Sequence, residues 1–421
     1  MAAGFVETLI IGGGQAGLAI SAHLGKRGLS HVVLERHRIA ERWRSECWDS
    51  LVANGPAWHD RFPVMGFDDI DPASFAPRDR IVAYFEAVAA QIKAPIRCGV
   101  EVTSRIRQAD GTGFRAETSA GTIDAVNVVS ATGPFQRPLI PQLVPEGSGI
   151  LQIHSNAYRN PGQLPDGAVL VVGAGSSGAQ IADELLRVGK RVYLSVGPHD
   201  RPPIRYRGKD FCWWLGVLGL WDAKAREPGM EHVTIAVSGA QRGHTDDFRR
   251  FAARGMTLLG RADSYKDGIL QFAPDLAANI ALGDANHLSV LDAADAYPAR
   301  TGLDLPEEPG ARAMEPDPDC VRNPVLTLDL AEAGITSIIW ATGFALDYCW
   351  MKIDAFDAKG RPVHDRGVAK VPGLYFLGLP WLSRRASPFI FGVWHNAEHL
   401  AGDIASRPKI RGHRRPGPGQ D

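Results

Sequence analysis

Val6-Glu7-Thr8-Leu9-Ile10-Ile11-Gly12-Gly13-Gly14-Gln15-Ala16-Gly17 is an apolar run followed at once by glycines spaced G-x-G-x-x-G. Residues 6–11 read as a strand. Residues 18–27, with small and apolar side chains at helical spacing, read as the helix that follows. In that context the glycines allow a tight turn and close backbone approach to a pyrophosphate, which would sit on the helix N-terminus among free N–H groups. The same pattern recurs at Gly173-Ala174-Gly175-Ser176-Ser177-Gly178, after the apolar residues 169–172. Two such cradles imply two dinucleotides, with electrons passing between them.

The two units differ downstream of their glycines. After the first, Gly28 breaks the helix, and residues 31–34 read as a second strand ending at Glu35, an acceptor for ribose hydroxyls. Glu35 suits FAD or NAD equally; the N-terminal position favours FAD. After the second, the helix is expected at 177–188 and the strand at 191–196, ending without an acid. Ser195 and Gly197 lead instead into His199, Arg201, Arg205, Arg207 and Lys209. A 2′-phosphate needs cationic donors and would be repelled by a carboxylate, so NADPH is expected rather than NADH, with Arg201 as the clamp and Arg205 behind it.

Composition narrows the class. The 421 residues are 45% hydrophobic and 22% charged, with a net charge of −1. This gives no electrostatic case for nucleic acid or an anionic membrane. Glu7 and three glycines interrupt the first apolar run, so it does not read as a signal peptide, and no apolar stretch suits a membrane span. The five cysteines (47, 98, 212, 320 and 349) are scattered, which suggests neither a disulfide framework, nor a metal site, nor a closely spaced redox pair. A cytoplasmic protein is expected.

The organisation reads as α/β: two Rossmann-like dinucleotide-binding domains, the NADPH domain inserted into a discontinuous FAD domain. Residues 1–165 form the first part of the FAD domain and 166–330 the NADPH domain. Residues 331–406 complete the FAD domain, and 407–421 read as a disordered basic tail. Within these, 43–77 is loop-rich, 78–92 a helix, and 96–102, 114–118 and 122–130 strands. The NADPH domain is expected to carry a helical or loop excursion, and residues 288–320, acidic and proline-rich, read as lying at the surface. Beyond them come a strand at 335–340, another at 374–378 and a closing helix at 388–404. Ala131-Thr132-Gly133 and Ala341-Thr342-Gly343 each end a strand and are read as the two crossings between domains, beside a dinucleotide.

Other motifs carry a name. His154-Ser155-x-x-Tyr158-Arg159-Asn160-Pro161, Trp43-x4-Trp48-Asp49-Ser50-Leu51 and Pro77-Arg78-x4-Ala83-Tyr84-Phe85 resemble the class B flavoprotein monooxygenases, which include flavin-containing, plant indole-pyruvate and Baeyer–Villiger enzymes. The resemblance reaches to about residue 406. It implies hydride transfer from NADPH to FAD, then reaction with O2 to a C4a-(hydro)peroxyflavin that oxygenates a small apolar amine, sulfide or carbonyl compound. Gly12, Gly14, Gly17, Glu35, Trp43, Thr132 and Gly133 are expected to bind cofactor. So are Gly173, Gly175, Ser176, Ser177, Gly178, Arg201, Arg205, Ala341, Thr342 and Gly343. Asn54 falls where the flavin-containing monooxygenases place an asparagine near the flavin, and Asn54-Gly55-Pro56 also reads as a plain turn. His154 would orient the linker or NADP+, or be a structural histidine.

The chain departs from the pattern at Ser148-Gly149-Ile150, at Gly378-Leu379-Pro380 and at His395-Asn396. Tyr158 matches the N/S-oxygenating branch rather than the tryptophan of Baeyer–Villiger enzymes. The apolar run 211–221 reads as a core helix, a dimer contact or a substrate-entry patch, and Trp381 and Trp394 as cavity or core. An NADPH oxidase or NADPH:acceptor reductase, and a non-catalytic NADPH-binding regulator, remain alternatives. Small-molecule substrate and O2 are the expected partners, with a homodimer possible.

Overall fold

The structure, a computed structural model, describes residues 4–107, 113–224, 235–243, 245 and 247–407. The expected tail lies outside these from residue 408 onward. Two compact units divide the chain. Met1–Glu41, Ala83–Gln136 and Leu346–Asp421 form one, and Arg42–Val82 with Arg137–Ala345 the other.

In the first unit, Gly4–Ile11 runs parallel to His31–Glu35 on one side and to Gly121–Ser130 on the other, with Ile10 opposite Val33 and Val129. Leu9, Ile10, Val33, Val128 and Val129 are fully buried. A parallel strand covered on both faces is therefore apolar without alternation. Each such side chain contributes about 1.5–3 kcal/mol, which anchors the strand ends that carry the first glycine turn. Ile96–Cys98 extends the sheet beyond His31–Glu35. Phe114–Thr118 pairs antiparallel, and Leu374–Phe376 parallel, with Gly121–Ser130. Helix Gln15–Lys26 packs on helix Ile390–Ser406. The strand expected over 96–102 is two strands, Ile96–Cys98 and Val102–Arg107, broken at Gly99.

The second unit repeats the plan. Ala168–Val172, buried at every position, lies between Val192–Ser195 and Ile335–Trp340 in a five-stranded parallel sheet completed by Leu151–His154 and Thr257–Leu259. The expected loop-rich stretch 43–77 contains the antiparallel pair Val52–Pro56 and Phe75–Pro77.

The surface reading of residues 288–320 is corrected in part: the single helix Leu276–Thr301 runs through the first half of this stretch and buries one face. His287, Val290, Leu291 and Ala294 fall at helical spacing and are buried, Leu291 and Ala294 packing with Trp214 and Tyr206. That periodicity outweighs the acidic composition, and Pro298 is tolerated near the helix end.

The run 211–221 forms helix Phe211–Val217 and a short turn. Asp210 Oδ1 caps the helix by accepting from Trp213 N at 2.9 Å. Trp214 is fully buried, and its indole N–H donates to Tyr206 O. Phe211, Cys212, Trp214, Leu215 and Trp221 are therefore core of their own unit. Among the described residues no helix is long and apolar enough to cross a membrane.

Candidate functional site

The two cradles are built alike. Gly12 N donates to Leu34 O at 2.8 Å, and Gly173 N to Ser195 O at 3.0 Å, so each turn is tied to the neighbouring strand. Gly12 has φ +111° and Gly173 φ +109°. A Cβ on Gly12 would stand 2.5 Å from Ala131 O, and one on Gly173 would meet Ala341 O. The repeated Ala-Thr-Gly thus has a local cause: each alanine carbonyl presses on the first glycine of a cradle. Ala131 N donates to Ile11 O, and Ala341 N to Val172 O, both at 2.8 Å. Glycine alone satisfies both the positive φ and the contact.

Helices Gln15–Lys26 and Ser176–Arg187 start from Gly14 and Gly175 with no side-chain cap and no acid in the first turn. The space that a Cβ on Gly14 would enter is open. Uncapped amides beside open space fit a pyrophosphate. Glu35 closes the first cradle: Oε2 accepts from Gly13 N at 2.7 Å and Oε1 from His37 N at 2.9 Å. Each oxygen keeps a further lone pair for a ribose hydroxyl. Gly378 is brought to the same place, where a Cβ would stand 2.9 Å from that of Ala16. Thr132 accepts from Gln136 Nε2 at 2.9 Å, and Gln136 also donates to Gly133 O. In the second unit Thr342 Oγ1 donates to Leu139 O, and Phe344–Ala345 pairs with Arg137–Pro138. Ser176 Oγ donates to Ile235 O at 2.7 Å, and Ser177 and Gly178 follow in the first turn.

The His154 motif is a staple within the second unit. The His154 Nε2 lies 2.9 Å from Gly343 O, so Nε2 carries the proton. Nδ1 lies 3.0 Å from Asn156 Oδ1 and 3.2 Å from Asn156 N. Burial pulls the imidazole pKa below its ordinary value. Tyr158 is fully buried and donates to Glu184 Oε2 at 2.7 Å, on the helix of the second cradle. Ser50 Oγ donates to Glu184 Oε1 at 2.5 Å. Burial, reinforced by Glu184, drives the phenol pKa up, so Tyr158 stays a donor. Arg159 donates to Ser45 O, and Asn160 Nδ2 to Asp49 Oδ2 at 2.7 Å. The motif thus binds segment 45–51 to the helix of the second cradle, and Glu184 is the partner that its sequence spacing does not reveal. Trp43 is half-buried on the short helix Glu41–Ser45.

Asn54 is half-buried on Val52–Pro56, its Oδ1 accepting from Gln180 Nε2 at 2.8 Å. The structure corrects the setting of Arg201. The side chain is buried, 2.7 Å from Asp284 and 3.7 Å from Asp247, rather than facing solvent as a phosphate clamp. Burial raises the Asp284 pKa, but Arg249 and Arg201 together hold it below the usual carboxylate range. Arg205 is exposed; it donates to Ala73 O and lies over the Phe75 ring. A cation the sequence reading passed over stands nearer: the Arg261 stem lies 3.5 Å from where a Cβ on Gly197 would be, beside the end of Val192–Ser195. Arg261 is exposed and pairs with Asp275 at 2.6 Å. No local motif marks it, because it reaches the site from the neighbouring strand, Thr257–Leu259.

All five cysteines are free thiols. Burial pushes Cys47 up to about 11 and Cys212 well above its ordinary value, so neither is a ready thiolate.

Two glycine cradles, each at the end of a buried parallel strand, provide what two dinucleotides would need. A family model described as pyridine nucleotide-disulphide oxidoreductase matches residues 9–211. The CzcO-like oxidoreductase of Geobacillus kaustophilus is 34% identical over 404 residues, spanning 95% of this chain and 98% of that protein. Indole-3-pyruvate monooxygenase YUCCA1 of Oryza sativa is 31% identical over 192 residues, 45% of this chain and 47% of that one. The flavin-containing monooxygenase of Stenotrophomonas maltophilia shares the fold with a TM-score of 0.64 at 20% identity, over 96% of this chain and 98% of its own. The chain belongs with the CzcO-like oxidoreductases. It is an oxidoreductase with the flavin-monooxygenase fold, and its two cradles fit FAD and NADPH.

Proposed function

We propose that the chain is an NADPH-dependent FAD monooxygenase. One oxygen atom of O2 enters a small apolar amine, sulfide or carbonyl compound. The other leaves as water, with NADPH and a proton supplying two electrons and two protons. The observation that carries this reading is the pair of intact cradles in a chain whose five cysteines are all free thiols. Electrons reaching the flavin have no disulfide in the chain to reduce.

In this reading the Gly12–Gly17 cradle and Glu35 hold FAD, and Gly173–Gly178 holds NADPH. Bound FAD supplies hydride acceptance and O2 activation. The chain's residues orient and shield it. Glu35 accepts ribose hydroxyls while fixing the Gly13 amide. The amides at Gln15 and Ser176 face the two pyrophosphates. Trp43, Thr132, Gly133, Ala341, Thr342 and Gly343 line the cofactors. Arg261, held by Asp275, donates to the 2′-phosphate beside Gly197. Asn54 offers a hydrogen bond at the flavin, and His154 holds the Gly343 linker. The enzyme works in the cytoplasm, where NADPH is supplied.

The test is incubation of the flavin-loaded protein with NADPH, isotopically labelled dioxygen and a panel of amines, sulfides and ketones. Label in a product, matched to NADPH consumed, supports the reading. Recovery of all the label as hydrogen peroxide with every compound supports the oxidase or reductase alternative instead.

A further inference from the structure

Gln180 lies on the helix that opens at the second cradle, one turn beyond Ser176 and on the same face. It is buried, with 7% of its surface exposed. Its Nε2 donates to Val237 O at 2.7 Å and to Asn54 Oδ1 at 2.8 Å. A backbone carbonyl only accepts, so the end of the Gln180 amide facing Val237 must be the NH2 group. Both its hydrogens are then committed, and the Asn54 atom they meet must be the oxygen. The polarity of the Asn54 amide is therefore dictated by the Val237 carbonyl, relayed through Gln180.

The relay is held at both ends. Ser176 Oγ donates to Ile235 O, and Ala236 N donates to Asp200 O at 2.9 Å. At Gly239 the chain presses so closely on Val52–Pro56 that a Cβ would meet Ala53 O, and would stand 2.8 Å from the Phe75 ring. Segment 235–239 thus lies between the nucleotide helix and the strand that carries Asn54. All these groups belong to one compact unit.

We propose that Gln180 is a positioning residue: it holds Asn54 with Nδ2 as the outward hydrogen-bond donor and ties that orientation to the helix of the second cradle. The inference rests on the reading that Asn54 serves the flavin. A donor there favours the reduced, more negative flavin and raises its midpoint potential. Gln180→Glu breaks the relay: a carboxylate oxygen in place of Nε2 can donate neither to Val237 O nor to Asn54 Oδ1, so the Asn54 amide loses the bond that fixes its polarity.

The test uses flavin-loaded Gln180→Glu, Asn54→Ala and the double variant, with flavin content and melting temperature reporting folding. The readouts are the FAD midpoint potential and the rate of NADPH oxidation without substrate. Gln180→Glu should lower the potential and speed substrate-free oxidation about tenfold, the equivalent of one hydrogen bond to a charged group. In the Asn54→Ala background the same change should move neither. Gln180→Met, which deletes the donor without adding charge, should act in the same direction and replaces Gln180→Glu if that variant fails to hold flavin. An equal shift in both backgrounds overturns the inference, because Gln180 would then act without Asn54. A folded, loaded single variant with wild-type potential and rate overturns it too. If Asn54→Ala alone changes neither readout, the role of Asn54 at the flavin falls and takes the inference with it. Labelled-oxygen incorporation then still decides the oxygenation reading separately.

Discussion

Replacing Gly12 by alanine should cost the protein its flavin and leave NADP+ binding intact. The new Cβ would stand 2.5 Å from Ala131 O, where ordinary contacts begin at 3.4 Å, so the two strand ends must part by about 0.9 Å. They resist, because Ala131 N donates to Ile11 O at 2.8 Å and the strands behind them are fully buried. The left-handed φ of +111° adds about 1–3 kcal/mol for any side chain. The turn relaxes out of the binding geometry instead, and FAD must restore it. A total near 2.7 kcal/mol weakens FAD about a hundredfold. The assay is titration of apo-protein with FAD, followed by quenching of flavin fluorescence, with NADP+ binding measured in parallel. Gly173→Ala should give the mirror image, NADP+ weakened and FAD retained. A Gly12→Ala protein that binds FAD as tightly as the wild type would refute the assignment of the first cradle.

Arg261→Ala should raise the NADPH Michaelis constant several-fold and leave NADH unchanged. Arg201→Met, by contrast, should lower stability by about 2–3 kcal/mol without altering that preference, because it opens a buried pair while Arg249 still faces Asp284. Urea unfolding and the ratio of the two coenzyme Michaelis constants check both. Tyr158→Phe removes one donor from buried Glu184 and should cost about 1–3 kcal/mol, read in the same unfolding curves. Acid should also destabilise the fold. Burial of His23 against Trp394 lowers its pKa from 6.5 to about 4. The folded state therefore prefers the neutral ring, and the contribution is complete above pH 6.5. It is lost as pH falls toward 4, with about 2 kcal/mol gone at pH 5. His23→Leu should flatten that part of the stability profile; an unchanged acid limb would remove His23 as its source.

The α/β architecture was legible because its signals are local. A buried parallel strand writes a continuous apolar run, and a phosphate cradle writes its glycines beside it. The Ala-Thr-Gly repeat was visible, but not its contact with the first glycine, since residues 12 and 131 meet only through the sheet. Composition misled at residues 288–320, where helical spacing of His287, Val290, Leu291 and Ala294 mattered more than acid content. It misled again at Arg201, because Asp247 and Asp284, which bury it, lie far along the chain. Arg261, Glu184 and Gln180 were illegible for the same reason. Each acts on a segment distant in sequence, and only the fold brings donor to acceptor.

The central claim is that electrons pass from NADPH to FAD and then to O2 under protection by the bound nucleotide. The direct measurement is stopped-flow absorbance: protein reduced anaerobically with one equivalent of NADPH is mixed with O2, and compared with protein reduced chemically in the absence of nucleotide. The account predicts full reduction by NADPH and a slower return of the oxidised flavin spectrum when NADP+ is present. An immediate return at the same rate in both, with one peroxide per flavin, would contradict it.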